Sequence, residues 1–459
     1  MEYSNMNNSN RFSNLSGHNR REQLLIIFTL AWPTMLEQFL QTAVQYVDTA
    51  MVGSLGTDAT ASVGATATVN WMIGSTISAF AVGFLSYIAR ALGAGRNEDA
   101  KRAASQSVLA VIVVGILSTI ITVALSSRVP VWMRVDENIR GMASEYFLIL
   151  YSPMLFRTAL IIFGTVLRSA GDTRTPMRIS LVMNLINVCL NYILIYKAGL
   201  GIKGAALASA AAFVFGGVAI TIALWRHPVL SPKGRSLSPD LKILAECGRV
   251  AFPNMLQRFG TSLGYVVFAS LINALGEDAT AAHTIANTVE SAFYIPGFGM
   301  QTAAATLAGN AYGAGDKKRF ESLSRTIIPL EIGLMIISGS MLFAFAPWLV
   351  AIFTKDPVVG GLSVTVLRMV ALSEPFYGIP IVIEGMMQGL GRTTIPFVFN
   401  ICCMWGIRIA GTFVFTRALG GGLVEAWGCM IGHNLMLCVL FGAYYFWGFK
   451  RIYANEFAA

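Results

Sequence analysis

One carboxylate, Asp48, stands inside the apolar run Gln41–Gly53, QTAVQYVDTAMVG. In a membrane such a group is costly, and intramembrane carboxylates commonly mark ion or proton paths. A second apolar run carries Asn184, Asn187 and Asn191. At about 100° per residue Asn187 and Asn191 share one helix face, and Ser180 and Asn184 extend the stripe. A carboxylate with two amide carbonyls supplies hard oxygen ligands suited to Na⁺. A carboxylate withdrawn from water also favours its protonated form, so Asp48 could take a proton on one side and release it on the other. The Asn stripe alone is equally consistent with side chains that only hydrogen-bond neighbouring helices.

Other charged or polar side chains fall in apolar segments. Glu37 lies eleven residues before Asp48, within about 20° of the same face and about 16 Å away along a helix. Gln38, Arg258, Glu290 and Glu374 are further candidates for a cavity or for coupling. Glu374 could instead pair with Arg368, and Glu384, near a segment end, could simply be solvated. His283 reads as an interfacial residue rather than a proton relay.

These residues need elements to carry them. Hydrophobic residues make up 55% of the 459 and charged residues 12%, about half the charge of an ordinary soluble protein. Apolar stretches near the length that crosses hydrocarbon recur throughout. Twelve helices are expected near 24–52, 60–88, 104–126, 143–167, 177–196, 203–225, 250–272, 280–308, 324–349, 362–388, 396–418 and 422–448. Residues 1–23 read as a disordered tail without a cleavable signal, 226–249 as a polar linker, and 449–459 as a second tail. With alternate loops on opposite sides, 22 of the 33 Lys and Arg fall on the side of the tails and 7 on the other. That bias places both termini in the cytoplasm. The net charge of +9 is thereby a topology signal and gives no reason to expect nucleic acid. The six cysteines show neither CxxC nor His pairing, so packing is expected and no metal or disulfide framework.

The chain repeats itself at an offset of 220 residues. AWPTMLEQF from Ala31 pairs with AFPNMLQRF from Ala251, LGTDATA from Leu55 with LGEDATA from Leu275, GAG at Gly93 with GAG at Gly313, and AGDTRTP from Ala170 with LGRTTIP from Leu390. Six spans per copy send both copies into the membrane in the same direction. The expected fold is an all-α integral membrane protein, with six-helix lobes 24–225 and 250–448 related by a pseudo-two-fold axis along the membrane normal. The repeat also isolates the polar residues. Asp48 corresponds to Phe268, Asn187 to Ile407 and Asn191 to Gly411. Polarity needed only for the shared fold would occur twice, so this set reads as a site of the first half.

The pattern P…Q…VDT…VG.LG of the first span, GAG after the second, R…GDT..P after the fourth and the paired Asn of the fifth together resemble the multidrug and toxic compound extrusion (MATE) transporters, of the bacterial NorM/DinF-like type. The likeness covers about residues 20–450. It implies two six-helix lobes around a V-shaped cavity and export of organic cations in exchange for Na⁺ or H⁺. It also implies a cation site at Asp48, Asn187 and Asn191. One branch of the family carries Asp at the position of Asn191. Another carries acids in the seventh and tenth spans, at positions that are Thr261 and Tyr377 here.

The leading expectation is a secondary active exporter in the cell membrane, a monomer in the bilayer, with small organic cations as substrates and no cofactor beyond the coupling ion. The alternative is a flippase for lipid-linked oligosaccharides, whose cavity should be cationic; here acids outnumber Arg in the spans. No GxxxxGK[ST] or HExxH motif is present, which speaks against an ATP-driven pump or a membrane enzyme.

Overall fold

The computed structural model describes residues 20–133 and 135–449, and regular structure among them is helical throughout. Of the tails expected at 1–23 and 449–459, residues 1–19 and 450–459 lie outside the described residues. The expected leader ends sooner than residue 23, because α1 already begins at Arg20. In chain order the helices are α1 (Arg20–Gly53), α2 (Thr57–Gly93), α3 (Asn97–Leu125), α4 (Glu137–Tyr151), α5 (Met154–Ser169), α6 (Arg174–Asn191), α7 (Gly201–Arg226), α8 (Leu241–Asn273), α9 (Glu277–Phe293), α10 (Ile295–Gly313), α11 (Lys317–Phe353), α12 (Pro357–Ala371), α13 (Glu374–Gly389), α14 (Thr394–Cys403) and α15 (Leu423–Ala443).

Among the described residues, eight helical stretches are long and apolar enough to cross a membrane, and the α4–α5 and α12–α13 pairs add two more, bent by 50° and 54°. α8 and the α9–α10 pair take the seventh and eighth places in the twelve-span order. Asn254, Gln257, Arg258, His283 and Glu290 lower their hydropathy. The fourth, eighth and tenth spans were expected to be continuous and are each broken once. The cause is written in the chain: Pro153 caps α5, and Pro296 and Pro375 sit in the first turns of α10 and α13. Proline lacks the amide that would bond the preceding turn, and its ring clashes there.

The 220-residue repeat reappears in the backbone. Left-handed glycines fall in matched pairs, Gly56 with Gly276 (φ 112° and 116°), Gly95 with Gly315 (71° and 66°) and Gly171 with Gly391 (78° and 79°). Only glycine holds such angles without strain, so the shared LG, GAG and G-x-T motifs mark the same three turns in each half.

The helices pack into two compact units, one spanning Leu36–Arg249 and the other combining the chain up to Met35 with Val250 onward. α1 is thus shared, which the expected boundary at residue 24 did not foresee. Its first half places Ile27, Leu30 and Ala31 in a core with Met300, Ala304 and Met386. There Gln23 Nε2 donates to Ser322 Oγ (2.8 Å), and Gln23 Oε1 accepts from Thr326 Oγ1 (3.0 Å). Pro33 lies just before the division and leaves the Thr29 carbonyl without its helical donor. In the same unit Gly385 and Gly389 let α13 lie directly on the backbone of Gln301 and Ala305 in α10, the small-xxx-small contact of membrane helices. The other unit centres on Phe84, Phe147, Tyr151, Ile162 and Leu167.

Candidate functional site

α1 carries Asp48, and α6 carries Ser180, Asn184, Asn187 and Asn191 on one buried stripe. Asn191 ends the regular turns of α6; from Tyr192 to Lys197 the helix widens into a π-helical turn, a distortion that often accompanies functional sites. Asn191 is 1% exposed and Asn187 6%. Asn191 Nδ2 donates to Asp48 Oδ1 at 2.6 Å and to Asn187 Oδ1 at 3.2 Å. Asn187 Nδ2 donates to Ser209 Oγ of α7 at 3.1 Å. The first and fifth spans, 143 residues apart at this contact, therefore meet through the residues singled out from the sequence.

The amide of Asn187 can stand in two orientations, and they suit different charge states. In the first, its oxygen lies 2.9 and 3.1 Å from the two Asp48 oxygens. Acceptor then faces acceptor, and only a proton or a cation between them makes that favourable. Turned over, the Asn187 nitrogen donates to both carboxylate oxygens and its oxygen accepts from Ser209. That arrangement suits an ionised Asp48 with nothing bound, but it sets the Asn187 and Asn191 nitrogens 3.2 Å apart. Asn191 Oδ1 is buried with no hydrogen-bond partner, as are Asn184 Nδ2 and Ser180 Oγ. Carboxylate and amide oxygens with spare capacity form a donor set that fits Na⁺ as a transported ion.

The remaining candidates are placed elsewhere. Glu37 Oε2 pairs with Arg168 Nη2 of α5 at 2.6 Å, both side chains largely buried. Gln38 is half-buried on α1. Glu384 is buried and accepts from Gln257 Nε2 (3.0 Å), Gln388 Nε2 (3.0 Å) and Asn400 Nδ2 (3.2 Å); it is not the solvated end residue its position suggested. Arg368 stacks on Phe343, 5.3 Å from the ring centre. His283 packs edge-on between Phe268 and Trp427.

Against this geometry, a model of the MatE family matches residues 33–193 and again 253–414. The chain belongs to the MatE family. The two matched segments begin 220 residues apart, the offset of the internal repeat. Among curated relatives, a probable multidrug resistance protein NorM of Thermotoga maritima is 29% identical over 409 residues, covering 88% of each chain. A probable multidrug resistance protein YoeA of Bacillus subtilis is 25% identical over 434 residues, covering 92% of this chain and 93% of its own. A crystal structure of MATE in the bent conformation superposes with a TM-score of 0.89 at 24% identity, covering 96% of this chain and 98% of that one. A MOP superfamily transporter from Pyrococcus furiosus gives 0.86 at 24% identity, covering 94% and 96%. The fold is that of these structures.

The MatE site has members that the sequence reading passed over. Ser209 holds Asn187; its repeat partner is Cys429, so the same half-to-half comparison would have found it. Glu331 of α11 is fully buried, and neither of its carboxylate oxygens has a hydrogen-bond partner. It was legible as the only acid of the 324–349 run. Glu374 lies within electrostatic reach of Glu290 and Glu331, and Glu290 within reach of Arg408. Arg258 is half-buried and faces Tyr377. The second half therefore has its own buried charges, at positions that do not copy those of the first.

Proposed function

We propose that this MatE protein is a transporter, and not an enzyme, that exports organic cations or amphipathic compounds against inward flow of Na⁺ or H⁺. One observation carries the coupling: Asp48, Asn187 and Asn191 converge in one half only. The multidrug resistance proteins among its relatives support the substrate class. Na⁺ would be bound by Asp48 with the Asn187 and Asn191 carbonyls, with Asn184 beside them. A proton would sit on Asp48 and be donated to Asn187 Oδ1. Glu290 and Glu374 draw the organic cation, and Gln38 and Arg258 tune that path, while Glu37 anchors α1. The chain works as a monomer with two six-helix lobes, a cytoplasmic linker 226–249, and both termini in the cytoplasm of an inner membrane. The cytoplasmic assignment rests on the Lys and Arg bias.

Reconstituted protein, loaded with a fluorescent organic cation and given Na⁺ and pH gradients separately, tests the reading. Efflux driven by one gradient is expected, and it should vanish in Asp48→Asn. Wild-type efflux with wild-type ion dependence in that variant would show that Asp48 has no coupling role. A cysteine placed at Asp316 tests orientation, since impermeant labelling of intact cells there would reverse it.

A further inference from the structure

The linker between α7 and α8 is clamped onto the start of α3. Gln106, 3% exposed, donates from Nε2 to Ser238 O at 2.9 Å and accepts at Oε1 from Asp240 N at 3.0 Å. Arg235 pairs with Glu98. Between linker and helix lies a cavity of about 200 Å³ lined by Arg102, Ser105, Gln106, Arg235, Ser236, Ser238 and Asp240. Nothing in the proposed ion exchange uses it.

Its chemistry is that of an anion site. Two guanidiniums border it. Arg235 already has Glu98 as a counter-charge, whereas Arg102 is exposed and has no ion-pair or hydrogen-bond partner among the described residues. Ser236 Oγ donates to Ser238 Oγ at 3.0 Å and accepts from Ser238 N at 3.1 Å, so the second hydroxyl has a free proton to give. The one acid, Asp240, is turned to the helix: its Oδ1 accepts from Lys242 N and Ile243 N at 3.0 and 3.2 Å at the start of α8. The space is below the roughly 300 Å³ at which drug-sized pockets begin, which excludes a second site for bulky cations. Planar guanidinium with hydroxyl donors matches phosphate oxygens, and basic pockets at the cytoplasmic ends of membrane helices hold anionic headgroups.

We propose that this pocket binds a phosphate group, supplied by the headgroup of an anionic phospholipid or by free phosphate. Bound there, the anion bridges α3 and the linker within the Leu36–Arg249 unit. The test uses the full chain in neutral detergent, titrated calorimetrically with inorganic phosphate, with short-chain phosphatidylglycerol, and with short-chain phosphatidylcholine. Binding of either anionic probe is expected, with none for phosphatidylcholine, and Arg102→Gln should weaken it at least about tenfold, the scale of one charged hydrogen bond. Arg102 has no partner to lose, so this variant should fold as wild type; Ser238→Ala should weaken binding less. Phosphate binding identifies a free anion as sufficient, and binding of phosphatidylglycerol alone identifies the headgroup. Failure of both probes, or affinity unchanged from wild type in both Arg102→Gln and Arg235→Gln, overturns the proposal. None of these readouts measures transport, so they leave the exchange reading untouched.

Discussion

The two repeats solve the same packing problem with opposite electrostatics. Where the first half has Asp48, Asn187, Asn191 and Ser209, the second has Phe268, Ile407, Gly411 and Cys429. The geometry is shared, because a side chain added at Gly411 would meet Cys429 Sγ at 3.2 Å, as Asn187 and Asn191 cluster with Ser209. Instead of a carboxylate, the second half holds a guanidinium: Arg408 lies 4.2 Å from the ring centre of Phe268 and 4.6 Å from that of Tyr265. One half presents a carboxylate among amide and hydroxyl groups, and the other carries a guanidinium sandwiched by rings. A second pair of positions differs likewise. Glu37 and Arg168 form an ion pair in the first half, whereas their counterparts Gln257 and Gln388 both bind Glu384, which replaces Gly164. The fold therefore tolerates either solution.

The contrast can be broken most severely at Asp48. Asp48→Asn should cut ion-driven efflux at least about tenfold, because a site whose charge no longer changes with loading cannot shift the conformational equilibrium; thermal stability should hold. The next largest effect is expected at Arg408. Arg408→Gln removes a desolvated cation from two aromatic faces and from the field of Glu290, at a cost of about 2–4 kcal/mol. Detergent melting temperature should fall by several degrees while the ratio of efflux with and without the ion gradient stays at wild type. A lost gradient dependence in Arg408→Gln would mean that the second half also takes part in coupling.

Smaller effects sharpen the second pair. Glu37→Gln alone removes the carboxylate that pairs with the largely buried Arg168 guanidinium and should cost about 3 kcal/mol. The triple variant Glu37→Gln, Arg168→Gln, Gly164→Glu rebuilds the second half's arrangement in the first. A Cβ added at Gly164 would have the Arg168 guanidinium as its nearest neighbour, at 3.4 Å, so removing Arg168 clears that contact. The triple variant should recover at least half of the melting temperature lost by Glu37→Gln. If it is less stable than the single variant, the two halves are not interchangeable here. Asn191→Ala should weaken the coupling ion only about three- to tenfold in a concentration series, as one neutral ligand is lost and the carboxylate stays.

The smallest effect is a pH dependence peculiar to the first half. His227 follows the C-terminal end of α7, and its Nδ1 accepts from Leu230 N (3.0 Å) and Val229 N (3.3 Å). Burial holds its pKa below the usual 6.5, with Asp172 partly opposing. An unfolded chain therefore gains this proton first as pH falls below about 6.5, so the contribution is complete above that value and lost beneath it. Melting temperature should drop between pH 7.5 and 5.5 by more in wild type than in His227→Gln. The second half has Trp447 at the matching position and nothing there to titrate.

Much of this was legible without a fold. Hydropathy is a sum over neighbours in the chain, so it finds spans whatever they pack against, and it failed only where Pro153, Pro296 and Pro375 break a span inside an unbroken apolar run. The ungapped repeat turned single residues into matched pairs, which singled out Asp48, Asn187 and Asn191 and would have singled out Ser209 had it been carried to the sixth span. Glu384 was misjudged because nearness to a segment end says nothing about which amides surround a carboxylate.

By itself the sequence determined membrane class, helix order, the turns that need left-handed glycine, and the half that bears an unmatched acid, since each depends on residue type and local spacing. Tertiary structure alone decided that Asn191 reaches Asp48 across 143 residues, that Glu37 meets Arg168, that Glu331 is sealed from water, and that α1 is divided between two units just after Met35. Those outcomes depend on the rotation and crossing of helices about one another, which the packing of whole faces sets and no spacing along one helix contains.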